Sequence, residues 1–334
     1  MTHRPAIAFA MAPEFLPDLF PARAMARLDR ATQVLSPDPI REFPTGWDLL
    51  GETEVLVTGW GAPTLDPDLL NRAPRLRAVV HCAGTIKRLV TEEAWDRGIQ
   101  VTTAAWVNAH PVAEYTLAAI LAAGKSLRAI EESFRQVRAD WTADHLPGGM
   151  GNYRRVVGII GASKVGRQLL EMLRAHDFEV LLTDVYLSAE EARELGASKV
   201  ELDELCARSS IVSLHAPALP STYRMIDAER LALMPDGATF INTARGSLVD
   251  TAALEAELVS GRLNAVLDVT DPEPLPSSSP LYALPNVMLT PHVAGSVGNE
   301  LERIGCAAIA EIERFAAGEP FRQRVEQGLL ARQA

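Results

Sequence analysis

The sequence predicts an α/β protein of two domains, with a doubly wound parallel sheet inserted into a smaller α/β domain. Three observations carry this expectation. Val156-Val-Gly-Ile-Ile-Gly161 reads as a buried strand running into a glycine turn, and the second apolar run Val180–Thr183 ends on Asp184. From Val156 onward, six short apolar runs alternate with helical stretches, the rhythm of a parallel sheet. Residues 1–105 show an alternation of their own but no closing helix, whereas a helical stretch remains near the end of the chain. That helix is expected to pack back on the first part. The smaller domain then comprises 1–105 and 296–334, and the inserted one 106–295.

Composition bounds the function. The chain has 334 residues, 48% hydrophobic and 22% charged, in the range of globular proteins. Its formal net charge is −11, with no long basic cluster, so nucleic acid and anionic membrane are not expected partners. Cys82, Cys206 and Cys306 lie far apart without ligand spacing, which predicts no metal site and a reducing, cytoplasmic setting. The apolar run Ala6–Met11 is too short for a signal segment and reads as a first strand.

In the first part, Ile7–Phe9, Val55–Thr58, Ala78–His81 and Ile99–Thr102 are the expected strands. The turn Cys82-Ala83-Gly84-Thr85 directly follows one of them, where backbone N–H groups can meet an anion. Ala109–Leu127 reads as a long helix with Pro111 in its first turn and apolar residues almost all round, predicting deep burial or a subunit contact. Ser126–Asn152 reads as a polar, irregular arm. In the second part the expected strands are Val156–Ile160, Val180–Thr183, Ile211–Leu214, Ala238–Ile241, Ala265–Leu267 and Val287–Leu289. A last helix spans roughly Asn299–Ala317, followed by a polar tail.

Ligands of an open parallel sheet bind beyond the carboxyl ends of its strands. The six strands are followed by Gly161, Asp184, His215, Asn242-Thr243-Ala244-Arg245-Gly246, Asp268 and Thr290-Pro-His292. Any one of these can be a cap or turn residue; six at one edge point to a site. Gly161, Ser163, Lys164, Val165 and Gly166 form a turn that would approach a pyrophosphate or is an ordinary strand-to-helix turn with a Ser N-cap, and Asp184 is the acid for ribose hydroxyls. Ser163 stands where the fingerprint asks for glycine. Arg245 has the fork for a carboxylate or forms a surface ion pair, His292 is the natural proton shuttle or a capping residue, and Glu273 can orient the imidazole or is a solvated loop acid. His3, His81, His110, His145 and His176 are assigned to structure or surface.

These motifs resemble the D-isomer-specific 2-hydroxyacid dehydrogenase family. The likeness is carried by Val157-Gly-Ile-Ile-Gly161, Leu214-His-Ala-Pro217 with Thr222, and Ile241-Asn-Thr-Ala-Arg-Gly246 with Val249-Asp250. It continues in Leu267-Asp-Val with Glu273-Pro274 and in Thr290-Pro-His-Val-Ala-Gly295. It runs from about Val107 to Gly318 and includes Val112-Ala-Glu114 and Trp141. The resemblance implies a Rossmann-type sheet inserted into a flavodoxin-like domain. It implies a hydride transfer between NAD(H) and a small 2-hydroxy or 2-oxo acid. Arg245 would hold the substrate with Ala83 and Gly84, and His292 with Glu273 would be the acid/base pair. His215, Pro217, Thr222, Thr243, Ala244 and Gly295 would line the cofactor, and Asp268 would sit near the nicotinamide amide. NAD is implied over NADP because Asp184 repels a 2′-phosphate, and a homodimer is implied through residues 107–152. Ile86-Lys87-Arg88 departs from the usual Asp or Asn after Gly84-Thr85, leaving the substrate side chain undefined. The rival expectations are a dinucleotide-sensing binding protein without turnover and an NADP-linked glyoxylate or hydroxypyruvate reductase.

Overall fold

The computed structural model describes residues 3–40 and 47–328. The end of the polar tail, 329–334, lies outside the described residues. Two compact units emerge: the chain up to Asn108 together with the segment from Ser296, and Ala109–Gly295.

The first unit is built on a parallel sheet of β1 (Ala6–Ala10), β2 (Gln33–Val34), β3 (Val55–Thr58), β4 (Ala78–His81) and β5 (Gln100–Thr103), ordered β2-β1-β3-β4-β5. β1, β3 and β4 are buried throughout because they are continuous apolar runs with a layer on each face. One of those layers includes the closing helix Leu301–Ala316, whose Leu301, Ile304, Ile309 and Ile312 join Ile7, Phe9 and Val55 in one core. Gly305 lets this helix press on the Leu19 carbonyl, a place any Cβ would occupy.

The second unit holds seven parallel strands: β6 (Val156–Ile160), β7 (Glu179–Thr183), β8 (Ser198–Lys199), β9 (Ile211–Leu214), β10 (Thr239–Asn242), β11 (Asn264–Leu267) and β12 (Val287–Leu289). Their order, β12-β11-β10-β9-β6-β7-β8, reverses direction between β6 and β9. That is the topological switch point of a doubly wound sheet, where the ends of the two central strands diverge and leave a crevice.

Several expectations need correction. The sheet has seven strands rather than six, and the first unit's β2 was also not anticipated. Both extra strands are two-residue edges that carry Gln33, Ser198 and Lys199, so no apolar run marked them. β1, β5, β7, β10 and β11 differ by one residue at their ends, the ordinary uncertainty of a boundary. The long helix is Ala105–Gly124, so Pro111 lies in its interior instead of its first turn. Ala109, Val112, Ala113, Thr116 and Ile120 are buried, whereas Ala118 is exposed and Leu117 and Leu121 are half-buried. The arm is not irregular throughout: Leu127–Val137 is a helix with no buried residue. Its apolar positions Leu127, Ile130, Phe134 and Val137 fall at helical spacing, masked in sequence by the charges between them. The glycine-turn helix runs Lys164–Leu173, with Ser163 as its cap.

Candidate active site

The crevice of the second unit begins at the glycine turn. Gly161 has φ +94°, and a Cβ there would stand 2.8 Å from Ala216 N on the β9 loop. Gly166 packs its helix onto the turn so closely that a Cβ would enter the Gly161 carbonyl. Ser163 Oγ accepts the Gly166 N–H at 3.4 Å and keeps its own O–H to donate. Val165 and Lys164 are half-buried, and burial lowers the Lys164 pKa below the ordinary lysine value. Asp184 does more than stand at the end of β7: Oδ2 accepts from Ala162 N and Oδ1 from Tyr186 N, both at 2.8 Å. The acid therefore clamps the turn, and each oxygen keeps a lone pair free.

On the other side of the switch point, His215 is 3% exposed. Its Nε2 meets Ser213 Oγ at 2.8 Å, while Nδ1 is buried without a partner among the described residues. Desolvation pushes its pKa down to about 3, so it is neutral. Thr222 Oγ1 donates to Pro217 O at 2.6 Å and closes the loop after β9. A glycine cradle that side chains would fill, an N-terminal helix turn and an unpaired buried nitrogen fit a dinucleotide laid across these strand ends.

The catalytic candidates come from the next three strands. After β10, Asn242 brackets its own loop: Oδ1 accepts Ala244 N and Nδ2 donates to Arg245 O, each at 3.0 Å. Thr243 is buried, its Oγ1 3.0 Å from Thr116 Oγ1 of the long helix. Arg245 Nη1 donates to Ala244 O at 2.6 Å. Burial lowers the pKa of this guanidinium while the Glu273 charge opposes the shift, which places the two in electrostatic range. Gly246 is obligatory here, because a Cβ would meet Asp271 N at 2.5 Å and overlap the Thr270 carbonyl. The Arg245 loop thus lies directly on the segment that leads to Glu273.

His292 Nδ1 lies 2.6 Å from Glu273 Oε1. A carboxylate only accepts, so Nδ1 carries the hydrogen and Nε2 is the ring atom left for a reactant. The pair is exposed, and a cavity of about 570 Å³ opens beside it, lined by Asp268, Thr270, Glu273, Leu281, His292 and Arg128 among others. His292 has φ +57°, a left-handed conformation that costs a non-glycine residue roughly 1–2 kcal/mol. It persists because Asp268 fastens the loop around it. The Asp268 carboxylate accepts from Val293 N and Ala294 N at 2.9 Å and from Thr290 Oγ1 at 2.6 Å, and its carbonyl accepts His292 N at 2.9 Å. Asp268 is 2% exposed, and its carboxylate serves as this clamp. Gly295 ends the second unit. Ala83 and Gly84 stand at the carboxyl end of β4 in the first unit, Ala83 buried and Gly84 with open space where a Cβ would go.

The sequence reading missed Tyr115, whose phenol lies 2.8 Å from Thr290 Oγ1, and the side-chain role of Asn242. For Asn242, the Asx residue at a strand end was the available signal; for Tyr115 there was none, since its partner is far along the chain.

A twisted parallel sheet with a glycine turn at its switch point, and a His–carboxylate pair and an arginine along the same edge, define a dinucleotide-dependent type of site. Residues 117–294 match the family model of the D-isomer specific 2-hydroxyacid dehydrogenase NAD binding domain. The chain belongs to the D-isomer specific 2-hydroxyacid dehydrogenase family. It is 33% identical over 259 residues to a D-3-phosphoglycerate dehydrogenase of Mycobacterium tuberculosis, covering 77% of this chain and 48% of that protein. The chain thus spans about half the length of such curated relatives. It is also 33% identical over 260 residues to a glyoxylate reductase of Korarchaeum cryptofilum, covering 76% and 77%. The structure of a D-lactate dehydrogenase from Aquifex aeolicus, complexed with NAD and lactic acid, superposes with a TM-score of 0.71. It is 26% identical and covers 94% of this chain and 96% of that one. Among the described residues, no helix is long and apolar enough to cross a membrane.

Proposed function

We propose that this chain is an NAD-dependent oxidoreductase of small 2-hydroxy and 2-oxo acids, with 106–295 as the NAD-binding domain and 1–105 with 296–334 as the substrate domain. The observation that carries the reading is the 2.6 Å bond between His292 and Glu273 on the sheet edge that also presents Arg245. When bound, NAD(H) supplies or accepts the hydride. Gly161, Ser163, Lys164, Val165 and Gly166 would hold its pyrophosphate, and Asp184 its ribose. His215, Pro217, Thr222, Thr243, Ala244 and Gly295 would line the rest of it, with Asp268 near the nicotinamide amide. Asp184 favours NAD over NADP, because a carboxylate repels a 2′-phosphate.

The residues then divide the work. Arg245 grips the substrate carboxylate with its fork and polarises the 2-oxo group. His292 delivers a proton from Nε2 to the developing alkoxide during reduction and takes it back in oxidation. Glu273 holds the ring through Nδ1 and stabilises the imidazolium. Positioned acid–base catalysis of this kind contributes on the order of 10²–10⁴ in rate.

The test is an NADH-oxidation assay over a panel of 2-oxo acids (glyoxylate, pyruvate, hydroxypyruvate, 2-oxoglutarate, 3-phosphohydroxypyruvate), repeated with NADPH. Turnover with at least one acid, faster with NADH, is expected. NADH binding by calorimetry with no turnover on any of them would favour a dinucleotide-sensing binding protein instead. The unburied helix Leu127–Val137, with Leu127 54% and Phe134 56% exposed, supports a homodimer formed through the arm. A monomeric mass in sedimentation would reject that assembly. Buried Cys82 and Cys206 and the wide spacing of the thiols suit a reducing cytoplasm.

A further inference from the structure

Two adjacent residues of the long helix each reach one of the two loops that carry the candidate chemistry. Tyr115 OH lies 2.8 Å from Thr290 Oγ1, and Thr290 Oγ1 is 2.6 Å from Asp268 Oδ1. Thr116 Oγ1 donates to Val112 O at 2.7 Å and lies 3.0 Å from Thr243 Oγ1, two residues before Arg245. The donors in both chains are fixed by chemistry. Asp268 accepts two backbone N–H groups and is an acceptor only, so Thr290 donates to it and Tyr115 must donate to Thr290. Burial raises the pKa of the Tyr115 phenol, which keeps it a donor. Thr116 spends its hydrogen on Val112, so Thr243 donates to Thr116.

We propose that Tyr115 and Thr116 are positioning residues that fasten the His292 loop and the Arg245 loop to one helical turn, Tyr115 acting through Thr290 and Asp268. Neither touches the reacting atoms. The chain Tyr115–Thr290–Asp268 ends on the amides of Val293 and Ala294, next to His292 in its left-handed conformation. A loop held in a sparsely populated conformation needs such over-determination, and a hydrogen-bonded chain ending on a buried carboxylate provides it. The helix thereby sets the separation between a carboxylate-binding arginine and a proton donor.

The proposal rests on the oxidoreductase reading for its kinetic test but not for its structural one. Tyr115→Phe keeps the ring and removes only the donor. Its kcat for 2-oxo acid reduction should fall roughly three- to tenfold, with KM for NADH within about twofold. Thr290→Val removes the donor to a charged acceptor and should lose roughly ten- to a hundredfold, while Thr290→Ser should recover most of it. The double variant Tyr115→Phe/Thr290→Val should be no worse than Thr290→Val alone, because the chain acts as one unit. Unchanged kcat in both single variants, or losses that multiply in the double, would overturn the role of Tyr115, and an unchanged KM for 2-oxo acids in Thr116→Val would overturn that of Thr116. The second readout is amide hydrogen exchange of Val293 and Ala294. It should speed up in Thr290→Val, speed up less in Tyr115→Phe, and return to the parent rate in Thr290→Ser. If the parent reduces no 2-oxo acid, the activity reading fails alone and exchange still decides; parent-like exchange in Thr290→Val would then reject the positioning role.

Discussion

Arg245 is the residue whose chemistry tolerates least substitution. Its guanidinium is planar and stays charged despite the burial that lowers its pKa, and Glu273 helps to keep it so. A lysine ammonium has no fork with which to hold carboxylate and carbonyl together. Arg245→Lys should therefore lower kcat/KM for 2-oxo acids at least about a hundredfold, a loss of about 2.7 kcal/mol, while NADH affinity measured by calorimetry stays within a few-fold. Activity within a few-fold of the parent would show that Arg245 is not the carboxylate anchor. Asp268 illustrates the opposite situation. The family resemblance implies a place near the nicotinamide amide, and the structure adds a role in the chain itself, since three donors from the His292 loop bind its carboxylate. Ser163, too, is less of a defect than the fingerprint implies, since the hydroxyl caps its helix through Gly166 N.

At the scale of elements, loops rather than strands decide the site, and glycine decides how closely they approach. Gly246 sits where the β10 loop crosses the Thr270–Asp271 backbone, with no space for a Cβ. Gly246→Ala must push the Arg245 loop away from the segment carrying Glu273. The expected cost is about 1–3 kcal/mol in stability, the range for overpacking, read from a denaturant midpoint. A larger proportional loss of kcat/KM should accompany it, since catalysis needs the two loops in register. A variant with parent-like kcat/KM would mean that the crossing does not position Arg245. The helix Leu127–Val137 carries a regular apolar stripe with no fully buried residue, Phe134 meeting Trp141 edge-on at 6.0 Å.

For the whole molecule, each unit contains one buried, neutral histidine. His81 in the first unit is 6% exposed and bonded through Nδ1 to Thr58 Oγ1, with its pKa pushed down to about 4 by desolvation. His215 in the second unit is pushed down to about 3. The unfolded chain binds these protons near pH 6.5, as in model peptides. Between about pH 6.5 and these lower values, unfolding takes up protons, so stability rises with pH across that window. The stability is fully present above the unfolded pKa and is lost as pH falls. Denaturant midpoints should drop from pH 7 to pH 5 for both units, and His215→Gln should weaken that dependence in the second unit alone. Identical parent midpoints at the two pH values would contradict the buried, neutral state.

The sequence alone determined the class of architecture, most of the strands and the edge on which Gly161, Asp184, Arg245, Asp268 and His292 stand. These follow from local rules: apolar runs long enough to be buried strands, glycines where a turn requires them, and ligands at carboxyl ends. The types of Glu273 and His292 made both candidates, but their pairing rested on the family resemblance, because Glu273 by itself reads equally as a solvated loop acid. Tertiary structure alone decided what those side chains touch. Asp268 became a clamp, Asp184 closed the glycine turn, and Tyr115 met a threonine 175 residues away. Hydrogen bonds between distant segments leave no periodicity in the chain. They depend on distances of a few tenths of an ångström, which only the packed sheet and helices set.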